Sequence, residues 1–257
     1  MKTITAETAS GNTGAAAAPE TVLVLHVKKG YEQREQHIRQ MLQAHHLHFR
    51  FILDGDIADL TDQSLRCYFT GDIMSSTSAH TSCAMKHFLA YKHILEHHLK
   101  GALVLEDDAV LYKSFDRIYR ACLSEIDMRG LKNALVSFED SSLHLVPHSE
   151  RKKGQYLYKH DRDRFTGAYY CTYEAAALIM HYVETHKCHL PIDRFHAALI
   201  NLAGLNYYWC HPCIATQGTH SGCFRSSIST KSAQRQPYRR LSWPVKLAYR
   251  SVLAMLR

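Results

Sequence analysis

The chain has 257 residues, enough for one large α/β domain or two small ones. Apolar residues make up 46% and charged residues 21%, a balance that excludes a wholly disordered chain. The net charge of +7 sits in one place: residues 231–257 carry seven Lys and Arg and no carboxylate, which leaves 24 basic against 24 acidic side chains in residues 1–230. The body is formally neutral and is not read as a nucleic-acid binder.

Residues 1–20 are rich in Thr, Ala, Gly and Ser and read as a disordered segment. Their one apolar run, Ala15–Ala18, is too short for a secretory signal, and no stretch of the chain reaches the ~18–20 apolar residues of a membrane span. The expected location is therefore the cytoplasm. The eight cysteines, at positions 67, 83, 122, 171, 188, 210, 213 and 223, are expected as free thiols there.

Order is expected from Thr21. Val22–Val27 is a near-continuous apolar run of strand length, the pattern of a strand covered on both faces. A turn at Lys28–Gly30 leads to Tyr31–Ala44, where Ile38, Met41 and Leu42 recur at helical spacing, and His48–Leu53 reads as a second strand. Strand, helix and strand within about 30 residues make a βαβ unit, and hence a parallel sheet. Gly71–Ser82 reads as a polar loop, Cys83–Leu99 as a helix stopped by Gly101, and Ala102–Leu105 as a third strand running into Glu106-Asp107-Asp108. Beyond it, Phe115–Ile126 reads as a helix and Ala134–Phe138 as a strand ending in Glu139-Asp140. Arg151–Arg164 reads as a loop or hairpin, Gly167–Thr172 as a strand, Glu174–His186 as a helix, and Asn206–Cys210 as a late strand. A further helix opens at Pro191-Ile192-Asp193, with Pro at its start and Asp suited to its N-terminal dipole.

Three consecutive carboxylates after an apolar strand raise one another's pKa unless something neutralises them. Carboxylate oxygens suit Mg²⁺ or Mn²⁺, and ligands of open parallel sheets gather at the carboxyl ends of strands. On an extended backbone Glu106 and Asp108 point to one side as the metal pair, while Asp107 points away. The bland alternative is a solvated acidic turn.

These residues resemble glycosyltransferase family 25, the lipooligosaccharide and collagen galactosyltransferase group. The matching segments are VLVLHVKKGYEQREQHIRQML, SCAMKHFLAYKHIL followed by GALVLEDDAVL, FTGAYYCTYEAAALIM, LPIDRF and HPCIATQ, in the family's order over about residues 22–220. The resemblance implies a GT-A-type α/β fold with a mainly parallel central sheet, a UDP-sugar donor (often UDP-galactose), Mn²⁺ or Mg²⁺, and inversion at the anomeric carbon. It assigns Glu106 and Asp108 to the metal and diphosphate. Arg34, His87, Gly167, Ala168, Gln217 and Asp107 fall on the donor side, and Asp193 matches an acidic residue opening a late helix. Lys86 departs from the Ser that the family often has there, and the chain after Ser221 has no counterpart. An inverting transfer needs one carboxylate as base on the acceptor side. Asp193 is the first candidate, Glu139 or Asp140 the next, each with a structural alternative as a helix-start or strand-end residue.

Two further patterns stand apart. Cys210, Cys213, His220 and Cys223 are chemically sufficient for structural zinc but match no common finger spacing, so buried thiols are the preferred reading. Residues 231–257 form a basic tail in which Trp243–Arg257 reads as an amphipathic helix suited to an anionic membrane surface. The expected organisation is thus 1–20 disordered, 21–230 transferase domain and 231–257 basic helix. It describes an enzyme moving galactose or a related hexose onto a lipid-linked oligosaccharide of the lipopolysaccharide core, peripheral on the inner face of a bacterial inner membrane. Other readings are a metal-dependent nucleotidyltransferase or phosphohydrolase, which the lack of a P-loop disfavours, and a non-catalytic membrane-attached module.

Overall fold

The computed structural model describes residues 21–225 and 236–257. The reading of residues 1–20 as disordered, and the first part of the basic tail, fall outside the described residues. In chain order the elements are β1 Val22–Leu25, α1 Glu32–Ala44, β2 Phe49–Ile52, α2 Asp62–Tyr68, α3 Ala79–Glu96, β3 Gly101–Glu106, β4 Ala109–Leu111, α4 Phe115–Met128 and β5 Ala134–Ser137. They continue with β6 Leu157–Lys159, β7 Ala168–Thr172, α5 Tyr173–His186, α6 Ile192–Leu202, β8 Asn206–Cys210, β9 Ala215–Gln217, the single turn α7 Gly218–Ser221, and α8 Gln236–Met255.

Seven strands form one sheet in the order β2-β1-β3-β7-β5-β8-β6. The pairs β1–β2, β1–β3 and β5–β8 are parallel, whereas β7 and β6 run against their neighbours. Five strands therefore share one direction, and the α/β class with a mainly parallel sheet is as expected. Successive side chains of a strand face opposite sides, which explains the two-layered core. Leu23, Leu25, Ala102 and Val104 join the cluster under α3, α5 and α6, while Val22, Val24, Leu103 and Leu105 join the cluster under α1 and α4.

Helix α3 begins four residues before the expected start because Ser78 caps it. The Ser78 hydroxyl accepts from the Thr81 amide at 3.2 Å, and the Thr81 hydroxyl accepts from the Ser78 amide at 2.8 Å. The stretch expected as a loop or hairpin supplies the edge strand β6, and α2 and the β4–β9 ribbon are additions to the expected elements. All eight cysteines are free.

Helix α8 lies on the body through Ala254, which is buried, and through Arg239, whose Nη1 donates to the Thr219 carbonyl at 2.9 Å. Its outer side carries Tyr238, Leu241, Val245, Tyr249, Val252 and Leu256, all exposed and spaced by three or four residues. No described helix is long and apolar enough to cross a membrane.

Candidate active site

The direction of β7 decides the site. This strand starts beside the end of β3 and runs back along it, so Thr166 and Gly167 lie against Glu106, whose amide donates to the Gly167 carbonyl at 2.9 Å. The β4–β9 ribbon brings Gln217 opposite Ala109, one residue beyond the acidic triplet. Elements far apart in the chain thus converge at one edge of the sheet.

Within the triplet the chain turns at Asp107-Asp108 instead of staying extended. The backbone is therefore not extended there, yet Glu106 and Asp108 still line one cavity together, while Asp107 lies outside it and faces a neighbouring one. Its carboxylate is closed on both oxygens: Arg34 Nη1 meets Oδ1 at 2.8 Å and His26 Nδ1 meets Oδ2 at 2.8 Å. Arg34 Nη2 also donates to the Arg225 carbonyl at 2.5 Å.

Asp108 is held by the start of α7, its Oδ2 accepting from the Thr219 amide at 2.9 Å and its carbonyl from the Gly218 amide at 2.7 Å. Its other carboxylate oxygen, Oδ1, is buried without a hydrogen-bond partner. Glu106 accepts from the Thr166 hydroxyl at 2.9 Å and from the Gln217 amide at 3.4 Å. Burial pushes the Glu106 carboxyl up to about 7, with Asp107 adding to the effect, and pushes Asp108 up to about 6, with Glu106 adding. Two carboxyls so raised favour a neutralising cation between them.

Two cavities adjoin this cluster. The first, of about 350 Å³, lies beyond β1 and includes His26, Tyr31, Lys86 and Asp107 in its wall. The second, of about 540 Å³, is lined by Asp108, Asp193, Gln217, Thr219 and Arg239 among others. Arg34, Cys83 and Glu106 line both, so Glu106 forms part of the partition.

Of the candidate bases, Asp193 lines the second cavity from the first turn of α6, half-buried, its Oδ1 accepting from the adjacent Arg194 amide at 2.9 Å. Glu139 does not stand in either cavity. It is fully buried beneath Gly167, whose amide donates to its Oε1 at 2.7 Å, and burial pushes its carboxyl up to about 8. The catalytic expectation for Glu139 is corrected accordingly: its surroundings keep it neutral, and the chain covers it. Asp140 is likewise buried, accepting from the Tyr112 hydroxyl at 2.7 Å.

His87, expected to touch the donor, is wholly buried behind Glu106. Its Nε2 is 3.7 Å from a Glu106 oxygen, its Nδ1 is 2.7 Å from the Tyr169 hydroxyl, and burial lowers its pKa to about 3. It lines neither cavity, which corrects that expectation. Ala168 is also enclosed, paired with Leu105 inside the sheet. Gly167 is a glycine for a visible reason: a Cβ there would meet Gln217 Cγ at 2.3 Å. The quartet of Cys210, Cys213, His220 and Cys223 is not assembled. Cys210 lies against Cys122 at 3.5 Å, His220 stacks on Phe165 at 4.6 Å, and Cys223 is exposed. Sequence reasoning missed Thr166, Thr219 and Arg239, which carry no local signal because the fold alone brings them here. Lys86 had shown only as a departure from the family; it is buried in the first cavity's wall, 2.8 Å from Asp56.

A mixed sheet with an acidic cluster and two cavities at the carboxyl ends of its parallel strands marks an enzyme of the ligand-at-the-sheet-edge class. The chain belongs to glycosyltransferase family 25, described as LPS biosynthesis protein, whose model matches residues 21–196. Glycosyl transfer is the reaction class of this enzyme. No curated protein matches the chain. Among solved structures it is similar to a glycosyltransferase involved in the glycosylation of the major capsid of PBCV-1, at 11% identity and a TM-score of 0.44, covering 87% of this chain and 100% of that one. It is also similar to a putative glucose-1-phosphate thymidylyltransferase from Bacillus anthracis, at 13% identity and a TM-score of 0.35, covering 83% and 73% of the two chains. At these scores neither likeness assigns a substrate.

Proposed function

We propose that the protein transfers a hexose, galactose before others, from a UDP-sugar to a lipopolysaccharide or lipooligosaccharide core acceptor, with inversion. The observation that carries this reading is Glu106 on the partition between two cavities: one carboxylate reaches both a nucleotide-sized space and a space for the sugar and its acceptor. In this reading the nucleotide occupies the first cavity, where Arg34, oriented by Asp107, presents a guanidinium to phosphate or to the base.

The donor set fits a hard divalent cation. Asp108 Oδ1 is buried with no partner, and Glu106 stands across the same cavity, so these two carboxylates would hold Mn²⁺ or Mg²⁺. Such an ion, when bound, neutralises charge on the departing diphosphate. Gln217, packed on Gly167, orients Glu106 through its amide. Asp193 would accept the proton of the acceptor hydroxyl from the open side of the second cavity.

The exposed apolar stripe of α8, with Lys246, Arg250 and Arg257 beside it, supports attachment to an anionic membrane surface on the cytoplasmic side. That surface is where a lipid-linked acceptor would be presented. The test is UDP release from a panel of UDP-sugars with Mn²⁺, with and without a lipooligosaccharide core acceptor. Release that depends on UDP-galactose, the metal and the acceptor is the expected result. No release from any UDP-sugar would overturn the proposal.

A further inference from the structure

A second donor set lies directly behind the acidic cluster, and two of its three members, Cys83 and His87, have no part in the reaction proposed above. Cys83 and His87 are four residues apart on α3, so they project from one face of the helix. Both face the last residue of β3. One ligand atom from each of Cys83, His87 and Glu106 lies within 4.8 Å of the others, and among the described residues this is the one such group of His, Cys, Asp and Glu.

The hydrogen bonds of His87 distinguish this group from a chance cluster. Its Nδ1 is engaged by the Tyr169 hydroxyl at 2.7 Å, Tyr169 meets the Tyr91 hydroxyl at 2.8 Å, and Tyr91 meets His196 Nε2 at 2.7 Å. That chain anchors one side of the imidazole in the core. The other nitrogen, Nε2, is buried with no hydrogen-bond partner and faces a Glu106 oxygen at 3.7 Å. Buried polar atoms are nearly always paired, so an orphaned ring nitrogen calls for an explanation. An imidazole fixed through one nitrogen, with the other aimed at a thiol and a carboxylate, is how proteins prepare a histidine for a metal.

Distances agree. Tetrahedral zinc with bonds of about 2.0–2.2 Å to N and O holds those two donors ~3.4 Å apart. The observed 3.7 Å closes with a shift of tenths of an ångström. Sulfur and imidazole donors select the softer transition metals over Mg²⁺ or Mn²⁺.

We infer that Cys83 Sγ, His87 Nε2 and a Glu106 carboxylate oxygen bind a zinc-class transition-metal ion, with the fourth coordination position open to the cavities that Cys83 and Glu106 line. Binding expels the thiol proton to solvent and leaves a thiolate on the ion. Because Glu106 also belongs to the proposed diphosphate site, an ion here competes for it, so zinc acts as an inhibitor.

The inference shares Glu106 with the proposed function but not its substrates, and its test uses metal alone. The full chain, stripped of metal, is titrated with Co²⁺ followed by optically silent Zn²⁺. The expected result is one ion per chain, an intense near-ultraviolet thiolate-to-cobalt band, and loss of that band on zinc addition. Cys83→Ser abolishes the band and weakens zinc binding a hundredfold or more, whereas Tyr169→Phe, which removes the anchor of His87, weakens it about 10- to 100-fold. Replacing the exposed Cys67 and Cys223 together leaves binding unchanged. Cys83 is half-buried, so its substitution by serine probes the site without emptying a core position. A cobalt complex lacking the thiolate band, zinc affinity unchanged in Cys83→Ser, or failure of the chain to retain zinc through desalting would each overturn the inference, whatever donor the enzyme uses.

Discussion

Arg34 and Asp107 meet at 2.8 Å in the wall of the nucleotide-sized cavity, with only about a tenth of either side chain exposed. Asp107 lies one residue past the end of β3 and Arg34 in the first turn of α1, so this pair ties the first helix to the end of β3 across the mouth of the sheet. The third member of the contact, His26, closes the remaining Asp107 oxygen. Both Asp107 oxygens are thus taken up within the protein, and Glu106 and Asp108 are left to line the second cavity.

Breaking that pair from one side strands a buried carboxylate. Arg34→Ala is expected to cost about 3 kcal/mol, and to lower the melting temperature by ~6–12 °C on the scaling for a domain of this size. Arg34→Lys keeps the charge but loses the forked contact to Asp107 and the Arg225 carbonyl, so donor KM should rise with kcat largely retained. Thermal melts and steady-state kinetics of the two variants check this together.

Asp193→Asn removes the proposed base while preserving shape. Turnover should fall about 10²- to 10⁴-fold, while Mn²⁺ and UDP still stabilise the protein in a thermal-shift assay. Activity within tenfold of the unmodified enzyme would dismiss Asp193 as the base.

Gly167→Ala drives a methyl group into Gln217. Overpacking of this kind costs about 1–3 kcal/mol, and the displaced Gln217 loses its contact to Glu106. The clash is with one side chain, so adding Gln217→Ala should restore stability without restoring activity. Stability that stays low in the double variant would place the strain elsewhere.

Glu139 sets a pH dependence of stability. Its folded-state pKa, about 8, lies above its ordinary value of 4.5. The folded protein therefore binds the proton more tightly than the unfolded chain. That stability is present below about pH 4.5 and is lost as pH rises through 8, a change on the order of 5 kcal/mol. Glu139→Gln mimics the protonated form, so denaturant unfolding from pH 5 to 9 should give a flatter curve for the variant. Its activity at neutral pH should stay near that of the parent, since Glu139 lines neither cavity.

The apolar stripe of α8 predicts vesicle binding. Leu241→Asp with Val245→Asp places two charges in the centre of the exposed face without touching Arg239. Retention on anionic vesicles in a sedimentation assay should fall sharply, with turnover on a soluble acceptor preserved. Equal retention of both proteins would remove membrane attachment from the proposal.

Much of the framework was readable from patterns of two and 3.6 residues. The apolar runs at Val22–Val27 and Ala102–Leu105 read as buried strands, and both lie in the interior of the sheet, split residue by residue between two cores. Helices α1, α4 and α5 began and ended within a few residues of their expected bounds, and α6 began where expected. Short elements escaped because three or four residues carry no period: β4, β6 and β9 are examples. The Ser78 cap was overlooked in a serine-rich stretch where several residues could have played that part.

For the site, the triplet Glu106-Asp107-Asp108 after an apolar strand was enough to point to the right edge of the sheet, because covalent order puts those carboxylates at a strand's end whatever surrounds them. The pairing of Glu106 with Asp108 on one cavity followed the expectation, although a turn at Asp107-Asp108, and not an extended strand, produces it. The separation of Asp193 from Glu139 was tertiary. Both are acidic residues at the end of an element, yet α6 leaves one at a cavity wall while β7 buries the other beneath Gly167. Sequence by itself thus determined the longer strands and helices and the place of the carboxylate triplet at a strand's end, which depend on neighbours in the chain. Only the tertiary structure decided which polar groups are desolvated, paired or open, because burial and charge depend on neighbours in space.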